Sequence, residues 1–413
     1  NCREHKSKRS MIINKNILEK LKAEYGDAFY LLDSEQFAKN FSELKAAFQK
    51  VYPNFNIAYS YKTNYTPKLC KMVNEIGGYA EVVSEMELEI ARRVGCKPER
   101  IIWNGPIKNE QVAEEFICEG GTINIDNREE LKLMKMVAAR HEDKLLTVGI
   151  RVNYEVGDGV MSRFGFDIDG EDFKEAVCWV KEMNNVKLIN FQCHFAKRPM
   201  RYWSARAKGM IALIDRLGVV PERIDIGGGL FGKMAPSLKA QFSDEIPDYN
   251  AYAEAAATVF ANYFKDKEDK PELLIEPGSA LVGDCMKFVA SVKNIKNIRG
   301  KWVAAVLGSQ KNISMSAVNP PIDVIGMGGE QKEYNDLDFV GFTCIEGDVL
   351  YHNYNGKLAQ GDVIVISNCG SYSLVMKPPF ILPNFPVLDI SGEEVELIKR
   401  GESFDDLFHT FNF

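Results

Sequence analysis

Short apolar segments alternate with amphipathic segments along residues 35–276. The apolar segments are IAYSY (57–61), YAEVV (79–83), IIWN (101–104), TINID (122–126), LLTVGIRV (145–152), LINFQCH (188–194), RIDI (223–226) and ELLIE (272–276). The amphipathic segments include 85–94, 109–119, 128–140, 171–183, 204–217 and 249–265. Strands that alternate with helices predict βαβ units and a parallel sheet. Eight such units favour a closed (β/α)₈ TIM barrel, with an open doubly wound sheet as the alternative.

The pattern changes after residue 276, where long helical segments become scarce. Apolar runs at 303–307, 322–326, 340–345 and 362–367 are separated by Gly, Asn and Pro, which predicts a C-terminal all-β domain. We therefore expect a barrel over 35–280 and a β-domain over 281–413, with residues 11–34 joining the β-domain and a helix near 402–409. Residues 1–10 are polar and basic, and we interpret them as a tail or an added leader.

Composition excludes several classes of protein. At about 150 residues per domain, 413 residues predict two or three domains. A net charge of −7 supplies no field for nucleic acid, and no apolar run approaches the roughly 18 residues of a membrane helix. The nine cysteines are odd in number and lack CxxC spacing, which favours reduced thiols in a cytoplasmic protein. With only five histidines, the sequence does not favour a metal site built on clustered His.

Polar residues stand at the ends of the predicted strands. In a barrel these carboxyl ends form the active-site face. Taken singly, each has an ordinary explanation, since a lysine after a strand is usually solvated and a histidine there is usually structural. The residues are Lys62, Glu81, Arg151, His194, Gly227-Gly228-Gly229, Glu276 and Gly278.

Together these residues match the needs of one cofactor, pyridoxal 5′-phosphate. Lys62 offers the amine for a Schiff base. The N–H groups of a Gly-rich turn, here 227–229, can bind its phosphate. Glu276 is a candidate for the acid beside the pyridine nitrogen, and the imidazole of His194 is a candidate to stack on the ring.

The chain resembles the fold-type III pyridoxal-phosphate decarboxylases, which include diaminopimelate and ornithine decarboxylases. The resemblance begins near residue 24 and covers almost all of the remaining chain. It rests on the number and order of several short motifs rather than on any one of them. These are AYSYKTN (58–64), GGYAEVVSEMEL (77–88), SRFG (162–165), Cys193-His194, DIGGGL (225–230), EPG (276–278), CIEGD (344–348) and GSY (370–372).

The resemblance implies a barrel joined to a β-domain and decarboxylation of an amino acid. It also implies a head-to-tail homodimer, in which one subunit's barrel and the other's β-domain share each active site. Cys344 and Asp348 would then act across the interface, with Cys344 as the candidate acid that protonates Cα. Tyr372 would approach the phosphate.

Three departures from the family pattern concern the cofactor. Glu81 stands where the family has Asp, Lys197 where it has a Ser near phosphate, and Ser279 where it has an Arg. We hypothesise that Lys197 restores the positive charge that Ser279 lacks. The alternative is that Lys197 points to solvent.

A fourth departure concerns the substrate. In diamine-forming relatives an acid follows the cysteine directly, whereas Ile345 follows Cys344 here and Glu346 comes one place later. By strand alternation this offset turns Glu346 to the opposite face. Segment 308–321 also lacks the family's "RPxxY" arginine motif. The sequence therefore favours a specialised substrate, such as an amino acid attached to a carrier, over meso-diaminopimelate or ornithine. The candidate substrate contacts are Arg151, Glu346 and Asp348.

Other functions stay open at this point. One alternative is an amino-acid racemase on the same barrel and cofactor, and another is a catalytically silent homologue. The retained residues Lys62, His194, Glu276 and Cys344 argue against the silent homologue. An NAD-binding protein is the weakest alternative, because the turn at 227–229 lacks GxGxxG spacing.

Overall fold

The computed structural model describes residues 11–313 and 318–413. The tail predicted at 1–10 and part of segment 308–321 lie outside these ranges. The strands are β1 (Ala28–Leu32), β2 (Phe55–Ser60), β3 (Tyr79–Val82), β4 (Ile101–Trp103), β5 (Thr122–Ile125), β6 (Leu146–Asn153), β7 (Phe166–Asp167), β8 (Val186–Gln192), β9 (Arg223–Asp225), β10 (Glu272–Ile275), β11 (Met286–Ile298), β12 (Lys301–Val306), β13 (Ile322–Ile325), β14 (Lys332–Val340), β15 (Val349–Leu358), β16 (Val363–Ile366), β17 (Val387–Asp389) and β18 (Glu396–Lys399).

Helices of very different length accompany these strands. They are α1 (Lys15–Tyr25), α2 (Ser34–Val51), α3 (Pro67–Glu75), α4 (Glu85–Arg93), α5 (Glu110–Cys118), α6 (Arg128–Arg140), α7 (Glu171–Glu182), α8 (Met200–Leu217), α9 (Pro236–Lys239), α10 (Tyr249–Tyr263), α11 (Ser279–Val282), α12 (Gln310–Ile313) and α13 (Phe404–Phe408). Short 3₁₀ helices occur at Tyr61–Thr63, Pro98–Arg100 and Gly283–Cys285.

One compact unit, Asn40–Gly232 with Asp244–Ala280, contains the barrel. Its strands follow the order β5-β4-β3-β2-β10-β9-β8-β6, and β5 also pairs with β6, which closes the ring. All of these pairs are parallel. The structure confirms the predicted eight-stranded barrel, and the open-sheet alternative was wrong.

Burial on both faces explains why the barrel strands read as continuous apolar runs. Every residue of β2, β3, β4 and β5 is buried, as expected where helices cover a parallel sheet. Polar residues mark where the covering helices begin. The side chains that cap their first turns are Ser84 for α4, Asn109 for α5, Asn127 for α6 and Asp248 for α10.

The second compact unit comprises the described residues up to Lys39, Lys233–Ser243 and Leu281–Phe413. Its sheet follows the order β15-β14-β12-β11-β1-β17-β18, with β16 pairing both β11 and β13. The early strand β1 lies between β11, to which it is antiparallel, and β17, to which it is parallel. The domain limits expected from the sequence stay predictions, and Lys233–Ser243 is an addition that no sequence pattern indicated.

The predicted strand at 340–345 was wrong. Strand β14 ends at Val340, and the next eight residues form a loop. The loop closes on itself because the Gly341 N–H donates to the Asp348 carbonyl (2.8 Å) and the Asp348 N–H donates to the Ile345 carbonyl (3.0 Å). Strand alternation therefore does not apply to Glu346, which is exposed because it lies in this loop.

No helix within residues 11–313 and 318–413 is long and apolar enough to cross a membrane. The cysteines of these ranges are all free thiols. A cytoplasmic location stays a prediction from the sequence.

Candidate active site

Lys62 lies just beyond β2, in the 3₁₀ helix Tyr61–Thr63. Its ammonium donates to Ser60 Oγ (2.8 Å) and contacts Glu81 Oε2 on neighbouring β3 (3.4 Å). Glu81 is buried, whereas Lys62 is half-buried. The parallel register of β2 and β3, which pairs Ser60 with Glu81, brings these groups together. The pair places an accessible amine beside a buried negative charge.

Glu276 follows β10 and is held by two side-chain amides. Asn104 Nδ2 donates to Glu276 Oε2 (2.7 Å) and also to Glu81 Oε1 (3.0 Å), while Gln192 Nε2 donates to Glu276 Oε1 (2.9 Å). Sequence reasoning missed both amides, although Asn104 ends the predicted strand IIWN and Gln192 directly precedes Cys193-His194. The two amides fix the orientation of the carboxyl group that was predicted to act on the cofactor.

A third carboxyl group raises the proton affinity of Glu276. Burial raises the pKa of Glu276 well above its usual range, and the charges of Asp225 and Glu81 raise it further. Burial likewise raises the pKa of Asp225, and its Oδ1 accepts from the Gly227 N–H (2.9 Å). Two neighbouring carboxyl groups in a buried setting cannot both ionise readily, so the pair favours retaining a proton.

A chain of amides continues across the barrel interior from Asn104. Asn124 Nδ2 donates to Asn104 Oδ1 (2.6 Å), and Asn190 Nδ2 donates to Asn124 Oδ1 (3.0 Å). Gly149 on β6 leaves room for this chain, because a Cβ there would lie 1.8 Å from Asn124 Oδ1. The acids of the site are thus tied to side chains on the far side of the barrel.

The glycine turn 227–229 approaches its neighbours too closely for any side chain. Gly227 has φ +75°, and a Cβ there would lie 2.3 Å from the Cys193 carbonyl. A Cβ on Gly228 would lie 2.1 Å from the Glu276 carbonyl. Only glycine allows the turn to pass directly over the ends of β8 and β10.

The carbonyls of this turn are bound from the side of α8. Arg206 is completely buried, and its guanidinium donates to the carbonyls of Ile226 (2.9 Å), Gly228 (2.8 Å) and Phe195 (3.2 Å). Trp203 Nε1 donates to the Gly229 carbonyl (3.0 Å). Sequence reasoning missed Arg206, because one arginine in an amphipathic helix carries no distinguishing signal.

Two N–H groups at the end of the turn are left to bind an anion, since Gly227 and Gly228 donate to Asp225 Oδ1 and His194 Nδ1. Among the described residues, the backbone N–H groups of Gly229 and Leu230 have no hydrogen-bond acceptor. Backbone donors of this kind, with the buried cation of Arg206 behind them, match the needs of a phosphate group.

His194 lies beyond β8 and is held as a neutral ring. Its Nδ1 accepts from the Gly228 N–H (3.0 Å), which leaves the proton on Nε2. Burial lowers the pKa of His194 well below its usual range, and the charges of Lys62 and Arg206 act in the same direction. A neutral, fixed imidazole is suited to stacking on a flat ring.

The remaining predicted residues of the barrel differ in their surroundings. Arg151 is buried with its guanidinium 4.8 Å from the ring centre of Phe164, and it forms no ion pair with any residue that the structure describes. Lys197 is exposed and Ser279 is half-buried. Gly278 packs against Thr63, where a Cβ would lie 2.0 Å from the hydroxyl oxygen.

The predicted residues of the C-terminal unit lie on two loops. Cys344 and Glu346 are exposed on loop 341–348, while Tyr372 is half-buried with a left-handed φ of +52°. Asp348 is buried and accepts from Ser309 Oγ (3.0 Å), the Gln310 N–H (2.7 Å) and Thr343 Oγ1 (2.5 Å). In the described chain Asp348 thus holds the loop rather than presenting a free carboxylate.

The barrel residues match the chemistry of pyridoxal phosphate. Lys62 supplies an accessible amine, Gly229 and Leu230 leave their backbone N–H groups unpaired among the described residues, and Glu276 provides a carboxyl group with high proton affinity. Closed barrels with these features are a known class of cofactor-dependent enzymes.

A comparison with family models identifies that class. The model for "Pyridoxal-dependent decarboxylase, pyridoxal binding domain" matches residues 38–283, more than half of the chain. The chain belongs to this family of fold-type III enzymes. It is a pyridoxal-phosphate-dependent amino-acid decarboxylase, as the sequence motifs predicted.

Individual relatives agree with this assignment. The diaminopimelate decarboxylase of Aquifex aeolicus is 24% identical over 406 residues, which cover 94% of this chain and 92% of that enzyme. The crystal structure of diaminopimelate decarboxylase from M. jannaschii superposes with a TM-score of 0.85 at 22% identity and covers 95% of this chain and 94% of that one. The arginine decarboxylase of Paramecium bursaria Chlorella virus superposes with a TM-score of 0.75 at 18% identity, covering 92% of this chain and 100% of that one. These two structural likenesses concern the fold.

Replacing Arg206 should loosen the cofactor. In Arg206→Gln the turn carbonyls lose a charged donor, and the N–H groups on the other side lose their fixed direction. We expect the dissociation constant for pyridoxal phosphate to rise by about 10- to 100-fold, since hydrogen bonds to charged groups contribute about 1.5–3 kcal/mol each. Absorbance titration of the apoprotein with cofactor measures this constant.

The matched control is Lys208→Gln, which removes a positive charge from an exposed position of the same helix. Equal loss of affinity in both variants would show that net charge, and not the binding of the turn carbonyls, is responsible.

Glu87 is a buried acid on which the charges of Glu81 and Lys62 act. Its Oε2 accepts from Ser84 Oγ (2.8 Å) at the start of α4, whereas its buried Oε1 has no partner among the described residues. Burial raises the pKa of Glu87 to about 7, with the charge of Glu81 adding to the shift. The folded protein therefore favours the neutral form of Glu87.

The effect of Glu87→Gln on stability should depend on pH. The pKa in the folded protein exceeds the ordinary value of about 4.3, so the parent loses stability as pH rises from that value to about 7. At pH 8 the variant should be more stable by up to about 3 kcal/mol, and at pH 5 the difference should be small. Thermal unfolding of the apoprotein at both pH values tests this. Exposed Glu85 on the same helix provides the control variant Glu85→Gln; a pH-independent difference for Glu87→Gln would contradict the prediction.

Proposed function

We propose that this decarboxylase acts on a specialised amino acid, or on an amino-acid-derived substrate attached to a carrier, rather than on meso-diaminopimelate or ornithine. The observation that carries the proposal is loop 341–348. Apolar Ile345, which is 53% exposed, follows Cys344 where diamine-forming relatives have an acid. Exposed Glu346 comes one place later, and the loop's buried acid, Asp348, is already hydrogen-bonded by its own neighbours.

The barrel residues have separate tasks in the proposed reaction. Pyridoxal phosphate, when bound, supplies an electron sink for the pair released as the carboxylate leaves. Lys62 is the amine that holds the cofactor, and Glu276 keeps a proton available at the pyridine nitrogen. His194, neutral and fixed, covers one face of the ring. The backbone N–H groups of Gly229 and Leu230 would bind the phosphate.

The second half of the site, in our proposal, comes from the C-terminal unit of a partner subunit in a head-to-tail homodimer. Exposed Cys344 and half-buried Tyr372 support this, because both are accessible to a neighbouring molecule. Cys344 donates the proton that replaces CO₂ at Cα, and Tyr372 contacts the phosphate. Asp348 acts by holding the loop that carries Cys344, and Arg151 is the barrel residue proposed to contact the substrate carboxylate.

The direct test is a screen for CO₂ release by the cofactor-loaded protein. The panel contains both enantiomers of amino acids with acidic, basic and neutral side chains, together with carrier-attached forms. We expect release from a member other than meso-diaminopimelate or ornithine. Lys62→Ala should abolish it, and Cys344→Ala should lower kcat by about 10²- to 10⁴-fold, the usual contribution of a positioned acid.

The same screen separates the alternatives. Loss of optical rotation without CO₂ would indicate a racemase. Failure to bind pyridoxal phosphate, seen as no borohydride-sensitive absorbance, would indicate a silent homologue. Preferred turnover of meso-diaminopimelate or ornithine would contradict the specialised substrate and leave the decarboxylase assignment intact.

A further test concerns the compensation between Lys197 and Ser279. If Lys197 supplies the positive charge that Ser279 lacks, Lys197→Ala should release the cofactor more readily during gel filtration, and adding Ser279→Arg should restore retention. Unchanged retention in Lys197→Ala would contradict the hypothesis and leave the buried cation of Arg206 as the main positive charge near the phosphate.

A further inference from the structure

The C-terminal unit contains a cavity of about 330 Å³ beneath loop 341–348. Three segments line it: 309–311, residues of 343–348, and 377–380. Its volume falls at the lower end of the range for small-molecule sites, about 300–1,000 Å³. A short aliphatic chain with one terminal polar group would fill a cavity of this size.

Lys377 gives this cavity a positive charge. The residue is only 7% exposed, and its ammonium donates to the Pro378 carbonyl and to Asn384 Oδ1 (3.3 Å). Both acceptors are neutral, and no carboxylate of the described residues lies within ion-pair distance. An ammonium has three N–H donors, so one remains available. Burial lowers the pKa of Lys377, and an anion bound beside the ammonium would favour its charged form.

Asp348 lines the same cavity, and its charge and that of Glu402 act on Lys377 from beyond ion-pair distance. Its side-chain oxygens accept from Ser309 and Thr343 hydroxyls and from the Gln310 N–H. These bonds occupy its carboxylate inside the loop. The cavity therefore offers a ligand the buried ammonium of Lys377, together with the exposed ammonium of Lys311, and no free acid from Asp348.

The rest of the lining is suited to an aliphatic spacer. Ile345, Pro378 and Phe380 contribute apolar surface to the same cavity. Ile345 directly follows Cys344 in the CIEGD segment, so a residue that lines the cavity is the chain neighbour of the proposed proton donor.

We propose that this cavity binds an oxyanion, a carboxylate or a phosphate, and that Lys377 is the residue that recognises it. Resting on the proposed function, we assign the anion to the far end of the substrate, with the apolar lining holding the carbon chain between the two ends. Lys377 is then a specificity-determining residue, and substrates that end in an ammonium are excluded by charge repulsion.

The first arm of the test measures binding without catalysis. Isothermal titration of the cofactor-loaded protein uses glutarate and inorganic phosphate as probes, with 1,5-diaminopentane as the cationic counterpart. We expect one of the two anions to bind, no binding of the diamine, and a loss of affinity of about 10- to 150-fold in Lys377→Met, the range for a hydrogen bond to a charged group. Lys377→Arg should retain binding.

The matched control is Lys296→Met, which removes the same charge from an exposed position of β11. Melting temperatures of all variants check that Lys377→Met is folded. Should it fail to fold, Lys377→Arg together with the diamine comparison still tests the proposal. Anion binding that is absent in the parent, or equal in the parent and Lys377→Met, would overturn the proposal.

The second arm identifies the source of the anion. 2-Aminoadipate, lysine and norleucine have the same number of carbons and end in a carboxylate, an ammonium and a methyl group. We expect 2-aminoadipate to perturb the cofactor absorbance at concentrations at least about 10-fold lower than the other two, with this preference lost in Lys377→Met while the norleucine response is unchanged. Glutarate should compete with the amino acid.

The arms keep the two proposals distinguishable. Anion binding that depends on Lys377, without CO₂ release from any amino acid, would support the cavity and contradict the proposed function. Release of CO₂ with no preference for a distal anion would support the proposed function and contradict the assignment of the cavity to substrate recognition. Anion binding that does not compete with the amino acid would overturn the assignment to the substrate's far end.

Discussion

The burial of three carboxyl groups at one end of a closed barrel is the constraint on which the site depends. Glu81, Asp225 and Glu276 are almost completely buried, and charges in such a setting are stable only when they are hydrogen-bonded or neutralised. Asn104 and Gln192 supply the donors, Lys62 supplies the positive charge, and a retained proton removes part of the repulsion. The chain of amides from Asn104 extends this requirement to strands that carry no reactive group.

The glycine turn depends on the same closure of the barrel. Because β8, β9 and β10 end at one level, the turn after β9 passes within contact distance of Cys193 and Glu276, where a side chain cannot fit. Arg206 and Trp203, both on α8, donate hydrogen bonds to the carbonyls of the turn. Cofactor binding therefore depends on both sides of a single backbone segment. The N–H groups face the cofactor, whereas Arg206 and Trp203 bind the carbonyls on the side away from it.

The sequence was informative where each residue's environment follows from its own neighbours. Fully buried strands produce apolar runs, so all eight barrel strands were found, and reactive residues that follow such strands, Lys62 and His194, were found with them. Residues whose role arises from packing were missed. Arg206 is one polar position among several in α8, and Lys377 precedes Pro378 in a segment without periodic structure. The strand expected at 340–345 failed because the hydrogen bonds of Asp348, eight residues beyond the end of β14, override the β-branched composition of the segment.

The two sheets differ in whether they have unpaired edge strands. The barrel closes through the pairing of β5 with β6, so its eight-stranded ring leaves no edge, whereas the path of the C-terminal sheet ends at β15 and β18. An unpaired strand edge is a template for addition of another chain and thus a route to aggregation. Strand β18 is short and carries Glu396 and Lys399, and β15 includes Lys357 beside Gly356. These features discourage strand addition, so the C-terminal sheet can keep open edges without offering a ready template for aggregation.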